Sequence, residues 1–168
     1  MNYIKVLSLS LVIWITACNS EEKNQQGASL PESLEIEKIQ LTELNGNPID
    51  LRQYEGKTIF LNFWATWCQP CMQEMPSIAN AKNLLEKEPI MFLFASNESL
   101  DLISEFSKNH DYDFKYVRIE NMEDLLIDVL PTTYIFSPGG KLLFSESGFK
   151  KWDEKTNLDI LVNTIHKK

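Results

Sequence analysis

Two cysteines separated by two residues, Cys68 and Cys71, are the side chains of this sequence best suited to covalent chemistry. Such a pair can exchange disulfides, supply half of a zinc site, or form an inert structural bridge. A zinc site would need more ligands, yet the chain has no second CxxC, no HxxxH motif and only two histidines. The pair therefore favours thiol–disulfide exchange, in which a thiolate attacks a disulfide sulfur.

The surrounding sequence indicates how the two thiols are positioned. The apolar run Ile59 to Trp64 is typical of a strand buried on both faces. A helix-like pattern follows the pair, and Pro70 suits the first helical turn, where a backbone N–H is dispensable. We therefore expect Cys68 at an exposed helix N-terminus, whose dipole stabilises a thiolate nucleophile, and Cys71 one turn inside as the resolving thiol.

The segment FLNFWATWCQPCMQEMP, residues 60–76, resembles the active site of the membrane-tethered TlpA/ResA-type thiol–disulfide oxidoreductases of the thioredoxin superfamily. Asn62 stands where thioredoxin carries a buried Asp, and Pro76 matches the proline that kinks the first helix of the family. The resemblance covers most of the chain, from roughly residue 40 onward. It implies an α/β thioredoxin fold: a central mixed β-sheet flanked by helices, with an N-terminal β-hairpin and a short α/β insertion before a cis-proline loop.

Glu74 is the third candidate catalytic residue. It follows Cys71 by three residues, on the same helix face. Periodicity alone favours a solvated surface glutamate, whereas the resemblance places Glu74 where the TlpA/ResA type has a buried Glu. A buried carboxylate there would have a raised pKa and could exchange protons with the Cys71 thiol. Asn62 supports this role, because it removes the acid that serves thioredoxin as proton acceptor.

A second constellation begins at Leu130-Pro131, just before an apolar strand. By itself Pro131 would be expected in the trans form, because only about one X–Pro bond in twenty is cis. The resemblance instead implies the cis-proline loop of the superfamily, packed beside the CxxC pair. The backbone of Leu130 would then offer hydrogen bonds to a substrate peptide, and Trp67 would form a partly exposed rim of the groove.

The other patterns alternate strands and helices, as a sheet with right-handed crossovers requires. After the cysteines we expect a helix to about Glu88, a strand from Ile90 to Ala95, and a helix capped by residues 96–98. The remaining predicted elements are a hairpin within 36–51 that turns at Asn45-Gly46, a strand at 114–119, helical turns at 121–128, a hairpin about 138–140, and a final helix at 152–166.

The N-terminal residues 1–17 have the pattern of a signal sequence, with Lys5 before an apolar core too short to span a membrane comfortably. The end of this segment, ITAC, resembles the bacterial lipobox and implies cleavage before Cys18 and lipidation of its thiol. The alternative is an ordinary secreted protein with a free Cys18. Residues 18–33 are polar and predict a flexible tether, followed by a thioredoxin-like domain at 34–168.

The net charge of −8 argues against nucleic acid and against an anionic membrane surface as an electrostatic partner. We predict a lipid-anchored oxidoreductase on the periplasmic side of the cell envelope, using neither cofactor nor metal. The resemblance implies that it reduces disulfides of exported proteins, for instance during cytochrome c maturation, with electrons from a membrane donor. The alternatives are a copper-binding metallochaperone, a peroxidase, and a binding module with a vestigial redox pair.

Overall fold

The computed structural model describes residues 34–167, and within them one mixed β-sheet of seven strands is accompanied by three α-helices. The predicted signal sequence, the predicted lipidation site Cys18 and the tether lie outside the described residues. Among residues 34–167, no helix has the length and apolar character needed to cross a membrane.

The sheet has the strand order β2-β1-β5-β4-β3-β6-β7. Its strands are β1 (Leu41–Glu43), β2 (Pro48–Ile49), β3 (Thr58–Phe63), β4 (Ile90–Ser96), β5 (Lys115–Ile119), β6 (Thr132–Phe136) and β7 (Leu142–Ser147). The helices are α1 (Gln69–Leu84), α2 (Leu100–Asn109) and α3 (Lys155–Ile165), and short 3₁₀ turns occupy Ile36–Lys38, Leu51–Tyr54 and Met122–Leu125. Both predicted hairpins, β1–β2 and β6–β7, are confirmed as antiparallel pairs.

Strand β3 lies in the interior of the sheet, between β4 and β6, and all six of its residues are buried, as its apolar run predicts. It pairs in parallel with β4 and antiparallel with β6. In this register Phe63, the last residue of β3, is opposite Thr132, the first residue of β6. The chain that leaves β3 for the cysteines and the chain that enters β6 from Pro131 therefore meet at the same end of the sheet.

All three helices pack on one face of the sheet. The connections β3–α1–β4 and β4–α2–β5 step in the same direction across the sheet, so right-handed crossovers put both helices on the same side. Alternation along β3 points Phe60, Asn62 and Trp64 toward this face. The opposite face is covered by the N-terminal segment and the 3₁₀ turns, with Leu34, Tyr54 and Leu125 among the buried side chains.

Helix α1 ends four residues before the end predicted at Glu88. The N–H of Leu85 still donates to the Ala81 carbonyl at 3.0 Å, but the N–H of Glu88 donates to the Leu85 carbonyl at 2.9 Å. The tighter turns of residues 85–88 thus replace the last turn of the helix and bond carbonyls that a helix end leaves unpaired.

The other two helices begin later than the sequence patterns predict. The prediction that residues 96–98 cap α2 is wrong: the cap is Ser99, whose Oγ accepts a hydrogen bond from the N–H of Leu102 at 3.4 Å. Helix α3 begins at Lys155, and Trp152 lies in the segment ahead of it, fully buried. Both differences release side chains from the helices for contacts near the cysteines.

The turn between β6 and β7 depends on Gly140, which has a φ of +81°. Its N–H donates to the Ser137 carbonyl, and its own carbonyl accepts from the N–H of Ile36 at 3.0 Å. A Cβ at this position would lie 2.7 Å from Cγ2 of the buried Ile36. Both the backbone conformation and the packing therefore require glycine here.

Gly140→Ala should lower the free energy of unfolding by about 2–3 kcal/mol, because it adds a clash to the strain of a left-handed alanine. Gly46→Ala is the matched control, since Gly46 has a φ of +86° but no atom within 4 Å of the added Cβ. The Gly46→Ala control should lower the free energy of unfolding by only about 1 kcal/mol. Urea unfolding of both variants measures the difference, and equal losses would contradict the packing argument.

Candidate active site

The two cysteines lie at the N-terminus of α1 and form a disulfide, at the junction of strand and helix that the sequence predicts. Cys68 is the N-cap residue, and its Sγ accepts a hydrogen bond from the N–H of Cys71 at 3.3 Å. The N–H of Cys68 donates to the Ala65 carbonyl at 3.1 Å and closes the turn before the helix. The N–H groups at the start of the helix are placed to stabilise a thiolate on Cys68 after reduction.

The prediction that Cys68 is exposed is wrong for this oxidised state. Cys68 is 3% exposed and Cys71 is 1% exposed, and both lie in the apolar cluster that contains Trp64 and Ala65. The bond to the buried Cys71 holds the Cys68 sulfur inward. Trp67, which precedes Cys68, is 74% exposed and so stands at the rim of the site.

Glu74 is completely buried, so the alternative of a solvated surface glutamate is wrong. Its Oε1 accepts hydrogen bonds from Nε1 of Trp152 at 2.7 Å and from the main-chain N–H of Lys150 at 3.1 Å. Its Oε2 accepts from Nδ2 of Asn62 at 3.2 Å. All three partners are donors, which is the environment that an ionised carboxylate requires.

Burial raises the pKa of Glu74 from 4.5 to about 7, and the hydrogen bond from Trp152 is the largest of the effects that hold it down. The donors Asn62 and the Lys150 main chain lower this pKa further, as does the charge of Lys150. A carboxyl group that is half ionised near neutral pH can both accept and release a proton. Glu74 lies one turn after Cys71 on α1, where such a group can serve the buried thiol.

Asn62 connects Glu74 to the neighbouring strand. Its Nδ2 also donates to Oγ1 of Thr133 at 3.0 Å, and Asn62 itself is 1% exposed. Because side chains alternate along β3, Asn62 has to point toward the face that α1 covers. The Asn62 amide thus donates a hydrogen bond to the Glu74 carboxylate and does not add a second buried acid.

The Leu130–Pro131 peptide bond is cis, as the resemblance implies. The Pro131 carbonyl accepts a hydrogen bond from the N–H of Gly148 at 2.7 Å, which fastens the loop to the end of β7. Leu130 is half-buried and packs against the cluster that contains both cysteines. One end of the sheet therefore holds all three residues predicted to form a substrate groove, namely Trp67, Leu130 and Pro131.

Sequence reasoning missed the segment of residues 148–152, which lies between β7 and α3 and returns to Glu74. Trp152 is fully buried, and its ring meets Phe60 edge to face with centroids 4.8 Å apart. Its main-chain N–H donates to Oγ of Ser77 at 3.1 Å. No local pattern reveals these contacts, because Trp152 is 78 residues from Glu74 and resembles any apolar residue before a helix.

The site has few groups that could hold a metal ion. Across residues 34–167, no three side chains of His, Cys, Asp or Glu come together as a cluster that could bind one. Within this range the two thiols therefore have no third ligand of these types for the copper-binding alternative.

Replacing Glu74 by Gln should change how stability depends on pH. Because burial raises the pKa of Glu74 above its unfolded value, ionising it destabilises the native state progressively from about pH 4.5 to pH 7. The stability of the oxidised wild type, relative to Glu74→Gln, should therefore fall by about 2 kcal/mol between pH 5 and pH 8. Urea unfolding of both oxidised proteins at the two pH values tests this, and a constant difference would contradict it.

Comparisons with known proteins agree with this geometry. The Redoxin family model matches residues 25–121. Thiol-disulfide oxidoreductase ResA of Bacillus subtilis (strain 168) is 29% identical over 144 residues, which cover 83% of this chain and 77% of that protein. A ResA of Bacillus cereus is 30% identical over 128 residues, which cover 73% of this chain and 70% of that protein.

Solved structures share the fold. A crystal structure of a putative thiol:disulfide interchange protein DsbE from Chlorobium tepidum superposes with a TM-score of 0.71 at 18% identity, covering 82% of this chain and 99% of that one. The sheet, the disulfide at the start of α1 and these similarities give one conclusion. The chain belongs to the Redoxin family and is a thiol–disulfide oxidoreductase of the TlpA/ResA type within the thioredoxin superfamily.

Proposed function

We propose that this oxidoreductase reduces disulfides, or keeps thiols reduced, in exported proteins outside the cytoplasm. Apocytochrome c before haem attachment is a suitable client, because its paired thiols must be free. Cys68 is the nucleophile, Cys71 resolves the mixed disulfide, and Glu74 handles the proton of Cys71. Lipid on Cys18 tethers the enzyme to the membrane, on the periplasmic side, where a membrane donor re-reduces it.

The reaction balances as two exchanges. The Cys68 thiolate attacks one sulfur of the client disulfide, forms a mixed disulfide and releases the other client sulfur as a thiolate. Cys71 then passes its proton to Glu74 and attacks the Cys68 sulfur, which releases the second client sulfur and closes the Cys68–Cys71 disulfide. Glu74 then releases the Cys71 proton, and the two client thiolates take up two protons from solvent in place of those that Cys68 and Cys71 have lost. The client thus gains two electrons and two protons, and the membrane donor later returns the same number to the enzyme.

The observation that carries this proposal is the buried Glu74 carboxylate, with a pKa of about 7, one helical turn after Cys71. A buried thiol has to lose its proton before it can resolve a mixed disulfide, and an acceptor titrating near neutral pH suits that task. Asn62 offers no carboxylate of its own, so Glu74 supplies the proton-accepting group on this face of β3.

The client is proposed to bind along the cis-proline loop. Main-chain groups of Leu130 would pair with an extended client segment, while Trp67 and the exposed Phe149 would contact apolar side chains beside the client cysteine. The side chains of Leu126 and Val129, on the approach to Pro131, are also more than half exposed. An unfolded client with apolar residues near its cysteines fits such a rim better than a folded, polar surface does.

Cys71→Ser should trap clients as mixed disulfides on Cys68, because the resolving thiol is lost while the nucleophile remains. The full chain is expressed in its native cells, and adducts sensitive to dithiothreitol are identified by mass spectrometry. Cys68→Ser is the matched control and should trap far fewer clients. If both variants trap clients equally well or equally poorly, the assigned roles of the two cysteines are wrong.

The reduction potential decides the direction of electron flow. We expect the Cys68–Cys71 couple of the full-length protein to lie near that of thioredoxin, about −270 mV, or lower. The measurement equilibrates the protein with dithiol buffers and counts alkylated Cys68 and Cys71 by peptide mass spectrometry. A potential near −120 mV, about that of the oxidant DsbA, would show that the enzyme forms disulfides rather than reducing them.

A further inference from the structure

One carboxylate near the cysteines, that of Glu98, has no part in the proposed disulfide exchange. Glu98 lies between β4 and α2, and its Oε2 accepts a hydrogen bond from the main-chain N–H of Thr66 at 2.7 Å. Its Oε1 accepts from Oγ1 of Thr66 at 2.7 Å. Oγ of Ser96 completes the arrangement by donating to Oε2 at 3.1 Å. The Glu98 carboxylate thus binds both hydrogen-bond donors of Thr66.

Thr66 is a central residue of the turn that presents Cys68. This turn begins at Ala65, whose carbonyl accepts the N–H of Cys68 at 3.1 Å, and Thr66 and Trp67 lie between them. On the β3 side the chain is fixed by the N–H of Trp64, which donates to the Ala95 carbonyl at 3.0 Å. Glu98 therefore holds the part of the turn that the sheet does not reach.

Among residues 34–167, no salt bridge includes Glu98, so no ion pair from this part of the chain neutralises its charge. Its side chain is partly buried, and the residue that it binds is separated from Cys68 only by Trp67. A fixed negative charge at this position repels a thiolate on Cys68, and partial burial weakens the screening of that repulsion.

We propose that Glu98 is a positioning residue that shifts the Cys68–Cys71 equilibrium toward the disulfide and so makes the dithiol a stronger reductant. Two effects act in the same direction. Holding the Thr66 turn keeps Cys68 close to Cys71 when the disulfide is open, which favours closure. The carboxylate charge disfavours the Cys68 thiolate, which exists only in the reduced state. This inference rests on the redox pair itself and gives a structural reason for the proposed direction of electron flow.

The test is the equilibrium of the protein with dithiothreitol. In this exchange the protein disulfide becomes a dithiol, dithiothreitol becomes a cyclic disulfide, and two electrons and two protons move together. Glu98→Gln keeps an oxygen for the Thr66 N–H but removes the charge. The equilibrium constant for reduction of the protein at pH 7 should rise about threefold or more. A threefold rise corresponds to a reduction potential higher by about 14 mV. The full-length protein is used, and alkylated Cys68 and Cys71 are counted.

Two further variants make the result specific. Thr66→Val keeps the shape of the side chain but loses the hydroxyl donor to Glu98, and it should raise the same constant by a smaller factor. Glu55→Gln makes the same change of charge on an exposed residue at the opposite end of β3 and should leave the constant unchanged.

A merely structural role for Glu98 would lower the urea midpoint of the oxidised protein without changing the dithiothreitol equilibrium. An unchanged or lower constant in Glu98→Gln would therefore overturn the inference, as would an equal rise in Glu55→Gln. The proposed function fails separately, on the absolute potential of the wild type, because the inference concerns only the ratio of variant to wild type.

Discussion

Glu74 brings a carboxylate into the apolar core beside the redox pair, and donors from three parts of the chain have to meet it there. Removing an ionised carboxylate from water is costly unless hydrogen bonds replace the lost solvation. Asn62 comes from the central strand, while the Lys150 main chain and the Trp152 indole come from the segment before α3. The relative placement of β3, α1 and this segment is therefore tied to one side chain.

The same contacts connect Glu74 to the proposed substrate groove. The segment that reaches Glu74 begins at Gly148, whose N–H donates to the carbonyl of the cis residue Pro131. Trp152 at its other end packs on Phe60 of the central strand. The groove, the acid and the sheet thus share one short piece of chain.

Two carboxylates flank the cysteines in different environments, and the difference suits them to different proposed tasks. Glu74 is fully buried among donors, so burial raises its pKa to about 7, which suits the proton exchange with Cys71 that we propose. Glu98 is partly buried and bound to both donors of Thr66, so it can hold the turn of Cys68. Keeping a buried acid reduces stability near neutral pH, as functional groups in active sites often do.

Local patterns in the sequence determined the redox pair, the buried strand before it, the helix after it and both hairpins, because a turn, a cap or an apolar period involves only neighbouring residues. The resemblance to relatives added the cis bond at Pro131 and the burial of Glu74, which periodicity alone would have placed in solvent. Only the tertiary structure decided what meets these residues. The partners Trp152 and Lys150 are more than 70 residues from Glu74, and Glu98 is 32 residues from Thr66. Contacts of this kind depend on sheet order and crossover direction, which bring distant segments together and leave no signal in either segment by itself.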